Sequence, residues 1–241
     1  MSHKRTIPAA ILAGGRATRL GPLAAERPKA LMEVGGRPFI DHQLDLLHRN
    51  GFQRVVMCVG HLGEQIQAHV GSGAQFGLQV EFAFDGPTLQ GTAGAIRNTA
   101  NLLGEIWWVL YGDSYLDFDY RAVQSHFAVR TEPALMTVFR NEGRWDTSNV
   151  HYDGHLVRHY DKQWPDSSMD FIDYGATLLR RSAIDRIPEM GAADLAELYS
   201  GLAQEGLLAG FEISQRFYEI GSPAGLADLD RHLRQRKGSM P

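Results

Sequence analysis

Two adjacent glycines, Gly14-Gly15, follow an apolar run from Ile7 to Leu12, and three cations come after them: Arg16, Arg19 and Lys29. Glycines at a strand end let backbone N–H groups approach an anion closely, and nearby guanidinium and ammonium groups neutralise its charge. The combination suits a triphosphate. Further on, Asp113 closes a second apolar run, Trp107–Tyr111, in Leu110-Tyr111-Gly112-Asp113-Ser114. Ligands of open α/β sheets bind beyond the carboxyl ends of the strands, so a carboxylate there faces the site. Spacing excludes two better-known phosphate loops. No Gly-Lys-Ser/Thr completes a P-loop, and Gly14-Gly15-Arg16-Ala17-Thr18-Arg19 does not supply G-x-G-x-x-G.

These residues and their order resemble the signature of sugar-1-phosphate nucleotidyltransferases, GG-x-GTRL-x-PLT…PKPL. Here it stands as Gly14-Gly15-Arg16-Ala17-Thr18-Arg19-Leu20-Gly21-Pro22-Leu23, then Pro28-Lys29-Ala30-Leu31. It departs at Ala17, where the family usually has glycine. Alanine costs on the order of 1–3 kcal/mol there if the backbone needs positive φ. The resemblance implies that Leu12, Ala13, Gly14, Gly15, Arg16 and Thr18 hold the nucleotide, while Arg19 steadies the departing phosphates and Lys29 spans the α-phosphate and the nucleophile. Leu89-Gln90-Gly91-Thr92-Ala93-Gly94-Ala95 looks like the family's base-and-ribose loop, which adds Gln90, Gly91 and Thr92. Gly and Thr opening a helix are equally what an ordinary cap shows.

Gly112-Asp113 matches the family's Gly-Asp metal ligand and implies Mg²⁺ on Asp113. The second ligand is expected at Glu219, in Phe217-Tyr218-Glu219-Ile220-Gly221-Ser222-Pro223, where the family shows Asp-x-Gly-Thr-Pro. A strand-end glutamate capping the next helix is the competing reading. Magnesium is held by one or two carboxylates plus phosphate oxygens, so a sparse set is enough. Asp161-Lys162 resembles the family's Glu-Lys pair, in which the acid bonds sugar hydroxyls and the lysine meets the phosphate. Asn149 and Asp173 stand where relatives place further hydroxyl-binding groups, with Asp173 replacing the more usual asparagine.

The activity so implied joins a nucleoside triphosphate to a sugar 1-phosphate and releases pyrophosphate. Resemblance to the short heptose-1-phosphate guanylyltransferases leans the base towards guanine. Two other readings stay open: a cytidylyltransferase acting on a non-sugar phosphate or phosphonate, and a catalytically silent relative that binds nucleotide-sugars. The partners expected are the triphosphate and the sugar phosphate, with homo-oligomerisation open and neither nucleic acid nor membrane.

The elements that must position these groups follow from periodicity. Apolar runs of strand length at 7–12, 54–59, 79–84 and 107–111 alternate with helical spacing at 39–50, 63–70 and 94–103. That alternation predicts a Rossmann-like, mostly parallel sheet with helices on both faces. After Asp113 the pattern changes to a helix over 120–130, then strands at 134–140, 149–152, 155–160 and 172–179, with Asp153-Gly154 as a hairpin signal. Helices over 192–204 and 224–236 flank a strand at 210–214. The 241 residues read as a single nucleotidyltransferase domain, its first half (1–118) mainly nucleotide-binding and its second (119–236) mainly sugar-phosphate-binding.

Net charge −4 supplies no broad basic field for nucleic acid, so a polyanion must be met by local cations. One cysteine, Cys58, excludes an internal disulfide and a cysteine-cluster metal site. The histidines form no H-E-x-x-H or other ligand spacing. No segment reads as a signal peptide or a membrane span, which makes the cytoplasm the expected location.

Overall fold

The computed structural model describes residues 7–15 and 26–238. Arg16, Ala17, Thr18 and Arg19 lie outside the described residues. Pro8 has no amide to donate, and the first strand, β1, begins just after it at Ala9–Leu12. A hairpin of two-residue strands follows, β2 (Glu33–Val34) and β3 (Arg37–Pro38), before helix α1 (Phe39–Arg49). Then come β4 (Arg54–Val59), α2 (Gly63–Val70), β5 (Gln79–Phe84), α3 (Gly91–Leu103) and β6 (Ile106–Tyr111). The second half contributes β7 (Ser114–Tyr115), α4 (Tyr120–Ala128), β8 (Ala134–Arg140), β9 (Val150–Tyr152), β10 (Val157–Tyr160) and β11 (Phe171–Arg180). It ends with α5 (Leu195–Gln204), β12 (Leu208–Glu212), β13 (Tyr218–Glu219) and α6 (Pro223–Gly238).

One nine-stranded sheet runs through both halves in the order β10-β9-β11-β6-β1-β4-β5, with β8 joining β11 to β12. β6, β1, β4 and β5 are parallel, whereas β11 runs antiparallel to β6 and opens the mixed portion. Side chains alternate across a strand, and the alternation divides the core into two layers. Ile11, Val55, Met57, Trp108 and Leu110 pack with Leu44 and Leu47 of α1 and Val123 and Phe127 of α4. Ala10, Val56, Cys58, Trp107 and Val109 pack on the other face with Ile96 of α3 and Leu198 and Leu202 of α5. With both faces covered, the inner parallel strands β1 and β6 read as unbroken apolar runs, while β5 at the sheet edge keeps Gln79 and Glu81.

A smaller cluster joins the β2–β3 hairpin to α6 through Val34, Phe39, Leu46, Ile220, Leu229 and Leu233. Asp230 of α6 accepts the Gly35 amide at 2.7 Å, tying the turn of that hairpin to the last helix. Among the described residues no helix is long and apolar enough to cross a membrane.

Several boundaries differ from expectation, and three of the differences have a visible cause. Helix α3 begins at Gly91, three residues earlier than its periodicity suggests, because the Ala193 carbonyl accepts the Ala93 and Gly94 amides at 2.9 and 3.3 Å. A tertiary carbonyl thus serves the helix start. β12 runs 208–212 and not 210–214, since pairing Leu208 with Ala134 sets its register on β8. Asp153-Gly154 does sit between two antiparallel strands, but the loop is longer than two residues. Asp153 accepts the His155 and Leu156 amides, both at 2.8 Å, and Arg158. Those donors hold its carboxyl down to about 2 against the cost of its burial.

Candidate active site

The parallel strands all end at one edge of the sheet, and there a cavity of about 270 Å³ opens. β1 contributes Leu12 and, just beyond it, Ala13, Gly14 and Gly15; β4 contributes Cys58; the turn after β5 contributes Asp85; and β6 leads into Gly112 and Asp113. Leu89, Gly91 and Thr92, at the start of α3, form the opposite wall, and Lys29-Ala30 reach in from the 3-10 turn Lys29–Leu31. Gly112 is required by close approach. A Cβ there would lie 2.7 Å from the Leu12 carbonyl oxygen and 3.0 Å from Ala13 Cβ, forcing the ends of β1 and β6 apart. Leu12, Ala13, Gly14, Gly15, Gly91, Thr92 and Gly112 therefore share one cavity with Lys29 and Asp113.

Lys29 Nζ donates to Asp113 Oδ2 at 2.9 Å. The turn bearing Asp113 is fixed from beneath by Gln43 of α1, whose Nε2 donates to the Tyr111 and Ser114 carbonyls at 2.9 and 3.1 Å. β13 pairs with β7 so that Glu219 faces Ser114 across the ladder, and the Ile220 amide donates to the Asp113 carbonyl at 2.9 Å. Asp113 and Glu219 are thus carried on paired segments. Carboxylates of this kind, completed by phosphate oxygens, are a donor type that suits Mg²⁺. Among the described residues no three His, Cys, Asp or Glu side chains gather into a metal-binding group.

At the other end of the cavity the side chain expected from Gln90 turns away: its Nε2 donates to the Thr88 carbonyl at 2.8 Å. Its backbone amide approaches Asp85 Oδ2 at 3.4 Å, and it is Asp85 that faces the cavity. Burial pushes the Asp85 carboxyl above its ordinary value, with the Gln90 amide opposing. Thr92 lines the cavity while its hydroxyl joins α3 to α5. It donates to Asp194 Oδ1 at 3.0 Å and accepts the Leu195 amide at 2.8 Å.

Asn149, Lys162 and Asp173 converge beside this cavity. Asn149 Oδ1 accepts the Asp173 amide at 2.9 Å, and Asp173 Oδ2 lies 3.7 Å from Lys162 Nζ and accepts the Tyr160 hydroxyl at 3.2 Å. Asp161 is joined to them through the backbone, its amide donating to the Asn149 carbonyl at 3.1 Å. Its carboxylate also serves the local turn, accepting the Gln163 and Trp164 amides at 2.7 and 2.9 Å, and these donors lower its pKa. Lys162 Nζ donates to Tyr111 Oη at 3.4 Å, and Tyr111 lines the main cavity. That contact links the two groups of residues. Asp85, Leu89, Gln43 and Tyr111 were not singled out by sequence reasoning. Asp85 carries the same strand-end signal that points to Asp113.

The fold is an α/β sheet with its cavity at the carboxyl ends of the parallel strands, and residues 8–148 match the Nucleotidyl transferase family. The chain belongs to that family. Over 237 residues it is 28% identical to the mannose-1-phosphate guanylyltransferase of Mycobacterium tuberculosis, covering 94% of this chain and 66% of that protein. It is 26% identical to the UTP–glucose-1-phosphate uridylyltransferase of a Synechocystis species, covering 83% of this chain and 56% of that one. The chain thus spans less than two thirds of the length of both relatives. HddC from Yersinia pseudotuberculosis, solved with GMP-PN, shares the fold at a TM-score of 0.78 and 20% identity, over 94% of this chain and 99% of that one.

Proposed function

We propose that the chain transfers a nucleotidyl group from a nucleoside triphosphate to a sugar 1-phosphate, giving a nucleotide-diphosphate sugar and pyrophosphate. The observation that carries this reading is the single cavity holding Gly14, Gly15, Lys29 and Asp113, with Lys162 joined to its wall through Tyr111. A sugar phosphate is mostly dianionic at pH 7, its second pKa being about 6, so no general base is needed to activate it. Its oxygen attacks the α-phosphorus in line, and pyrophosphate leaves from the opposite side. The obstacle is repulsion between anions, so catalysis rests on positioning and charge neutralisation.

In this scheme the Gly14 and Gly15 amides and Arg16 hold the triphosphate with Leu12, Ala13 and Thr18, and Arg19 steadies the departing phosphates. Lys29 spans the α-phosphate and the attacking oxygen. Lys162 anchors the sugar phosphate, while Asn149, Asp161 and Asp173 serve the sugar hydroxyls. Gly91, Thr92 and the backbone of Gln90 border the base and ribose. Asp113 and Glu219 would hold Mg²⁺, which offsets charge at the α-phosphate. Residues 1–118 then serve chiefly the nucleotide and 119–236 the sugar phosphate. Guanine is the favoured base, as in the Mycobacterium tuberculosis relative. A cytoplasmic location and open self-association complete the reading.

The test is a matrix of GTP, UTP, CTP and ATP against mannose, glucose and heptose 1-phosphates, each with Mg²⁺ and read by pyrophosphate release. Release from GTP with one of these sugars is expected. Silence across every pair sinks the assignment.

A further inference from the structure

Tyr111 stands where the two clusters of the site meet. It ends β6, lines the main cavity and lies two residues before Asp113. Asp113 holds the Lys29 ammonium at 2.9 Å, and the Tyr111 hydroxyl meets the Lys162 ammonium at 3.4 Å. One tripeptide, Tyr111-Gly112-Asp113, therefore seats both lysines. The supports of Lys162 are mostly aromatic: its Nζ lies 5.1 Å from the Tyr111 ring centre and 5.8 Å from that of Tyr160. Asp173, its nearby carboxylate, is 3.7 Å away and is shared with the Tyr160 hydroxyl. Ring faces attract an ammonium without neutralising it, so Lys162 keeps a charge free for an incoming anion.

The donor direction is fixed by chemistry. An ammonium has three donors and no acceptor, so the Tyr111 oxygen accepts and its own proton points elsewhere. A phenol ionises near 10, so at neutral pH it keeps that proton.

We propose that Tyr111 is a positioning residue for the phosphate acceptor: it fixes Lys162 at the junction of the two subsites, where the ammonium meets the phosphate of the incoming sugar 1-phosphate. This deepens the proposed function and rests on it. A hydroxyl that acts on the acceptor through Lys162 should affect one substrate and leave the other alone. A ring that merely fills the wall of the cavity should disturb both.

The experiment compares wild type with Tyr111→Phe, which keeps the ring, and Tyr111→Leu, which removes it. With GTP and mannose 1-phosphate, Tyr111→Phe should raise KM for the sugar phosphate about tenfold and leave KM for GTP and kcat within about twofold. In a Lys162→Met background the same change should add less than about twofold, because its partner is gone. Acetylation of Lys162 in the ligand-free protein, followed by peptide mass spectrometry against Lys4 as internal reference, gives a readout independent of turnover. Tyr111→Leu should speed it about threefold. Unchanged KM for the sugar phosphate, an equal rise for both substrates, or an unchanged labelling rate each overturns the proposal. If wild type makes no product from any pair, the functional reading fails, while the labelling still decides whether Tyr111 holds Lys162.

Discussion

Lys29 Nζ and Asp113 Oδ2, 84 positions apart in sequence, form an ion pair of 2.9 Å at the cavity floor. Their side chains are 18% and 27% exposed, so each charge depends on the other more than a surface pair would. In the proposed reaction a bound triphosphate would offer Lys29 a second partner and leave Asp113 free for a cation. The pair therefore sets a resting arrangement that substrate can rearrange.

Asp113→Asn should lower turnover at least about 100-fold, the scale on which loss of one preorganised electrostatic group acts. The amide can still accept from Lys29, so the fold should survive with a melting temperature within about 4 °C of wild type. Circular dichroism melts run beside pyrophosphate assays check both halves. Near-normal turnover would remove Asp113 from the chemistry.

Gln43 is 3% exposed, and its amide bridges the carbonyls on either side of the Gly112-Asp113 turn. Gln43→Leu removes both donors and leaves two carbonyl oxygens unserved, at a cost of about 1–3 kcal/mol. Gln43→Glu should be worse, because a carboxylate oxygen would then face those carbonyls. Urea unfolding measures the cost. kcat should fall in both variants, as Asp113 loses its fixed turn without being changed itself.

The parts of this architecture legible in the sequence were those written locally. β4, β5, α2 and β8 lie where their apolar runs and flanking stops put them, because each is specified by its own few residues. The two-residue strands β7 and β13 exist only through each other, so no window of sequence contains them. At the site, Gly14, Lys29 and Asp113 were legible through residue type and spacing, and the fold brings them into one cavity. Tyr111 carries no comparable signal, since its meaning depends on Lys162, 51 positions later. Gln90 shows the converse: an amide at a plausible spacing spends its donor on Thr88, and Asp85 takes the cavity wall.

Gly91 tests how α3 is fastened to α5. Its φ is +71°, and a Cβ would lie 2.4 Å from the Ala193 carbonyl oxygen, a backbone atom already accepting from Ala93 and Gly94. Neither side can yield without breaking those bonds. Gly91→Ala should destabilise the protein by about 2 kcal/mol or more, from positive φ and the clash together. Hydrogen exchange gives the local readout, with the Ala93 and Gly94 amides losing protection before the strands do.

Cys58 provides a pH test of the core beneath the cavity. Burial pushes its thiol up to about 12, opposed by a contact with Thr99 and helped by Asp85. In the unfolded chain a thiol ionises near 8.5, so between these values the unfolded state binds fewer protons than the folded one. The stability held below pH 8.5 is therefore lost as pH rises towards 12. Between pH 9 and 10 the share of this loss due to Cys58 should be about 1 kcal/mol, on top of that from the buried tyrosines, whose unfolded phenols ionise near 10. Cys58→Ala removes the titrating group, so its urea midpoint should fall less over that interval. Parallel decline in the two proteins would mean that other groups govern the alkaline limb. The same burial predicts that the folded protein resists thiol reagents at pH 8 and that its single cysteine reacts at once in urea.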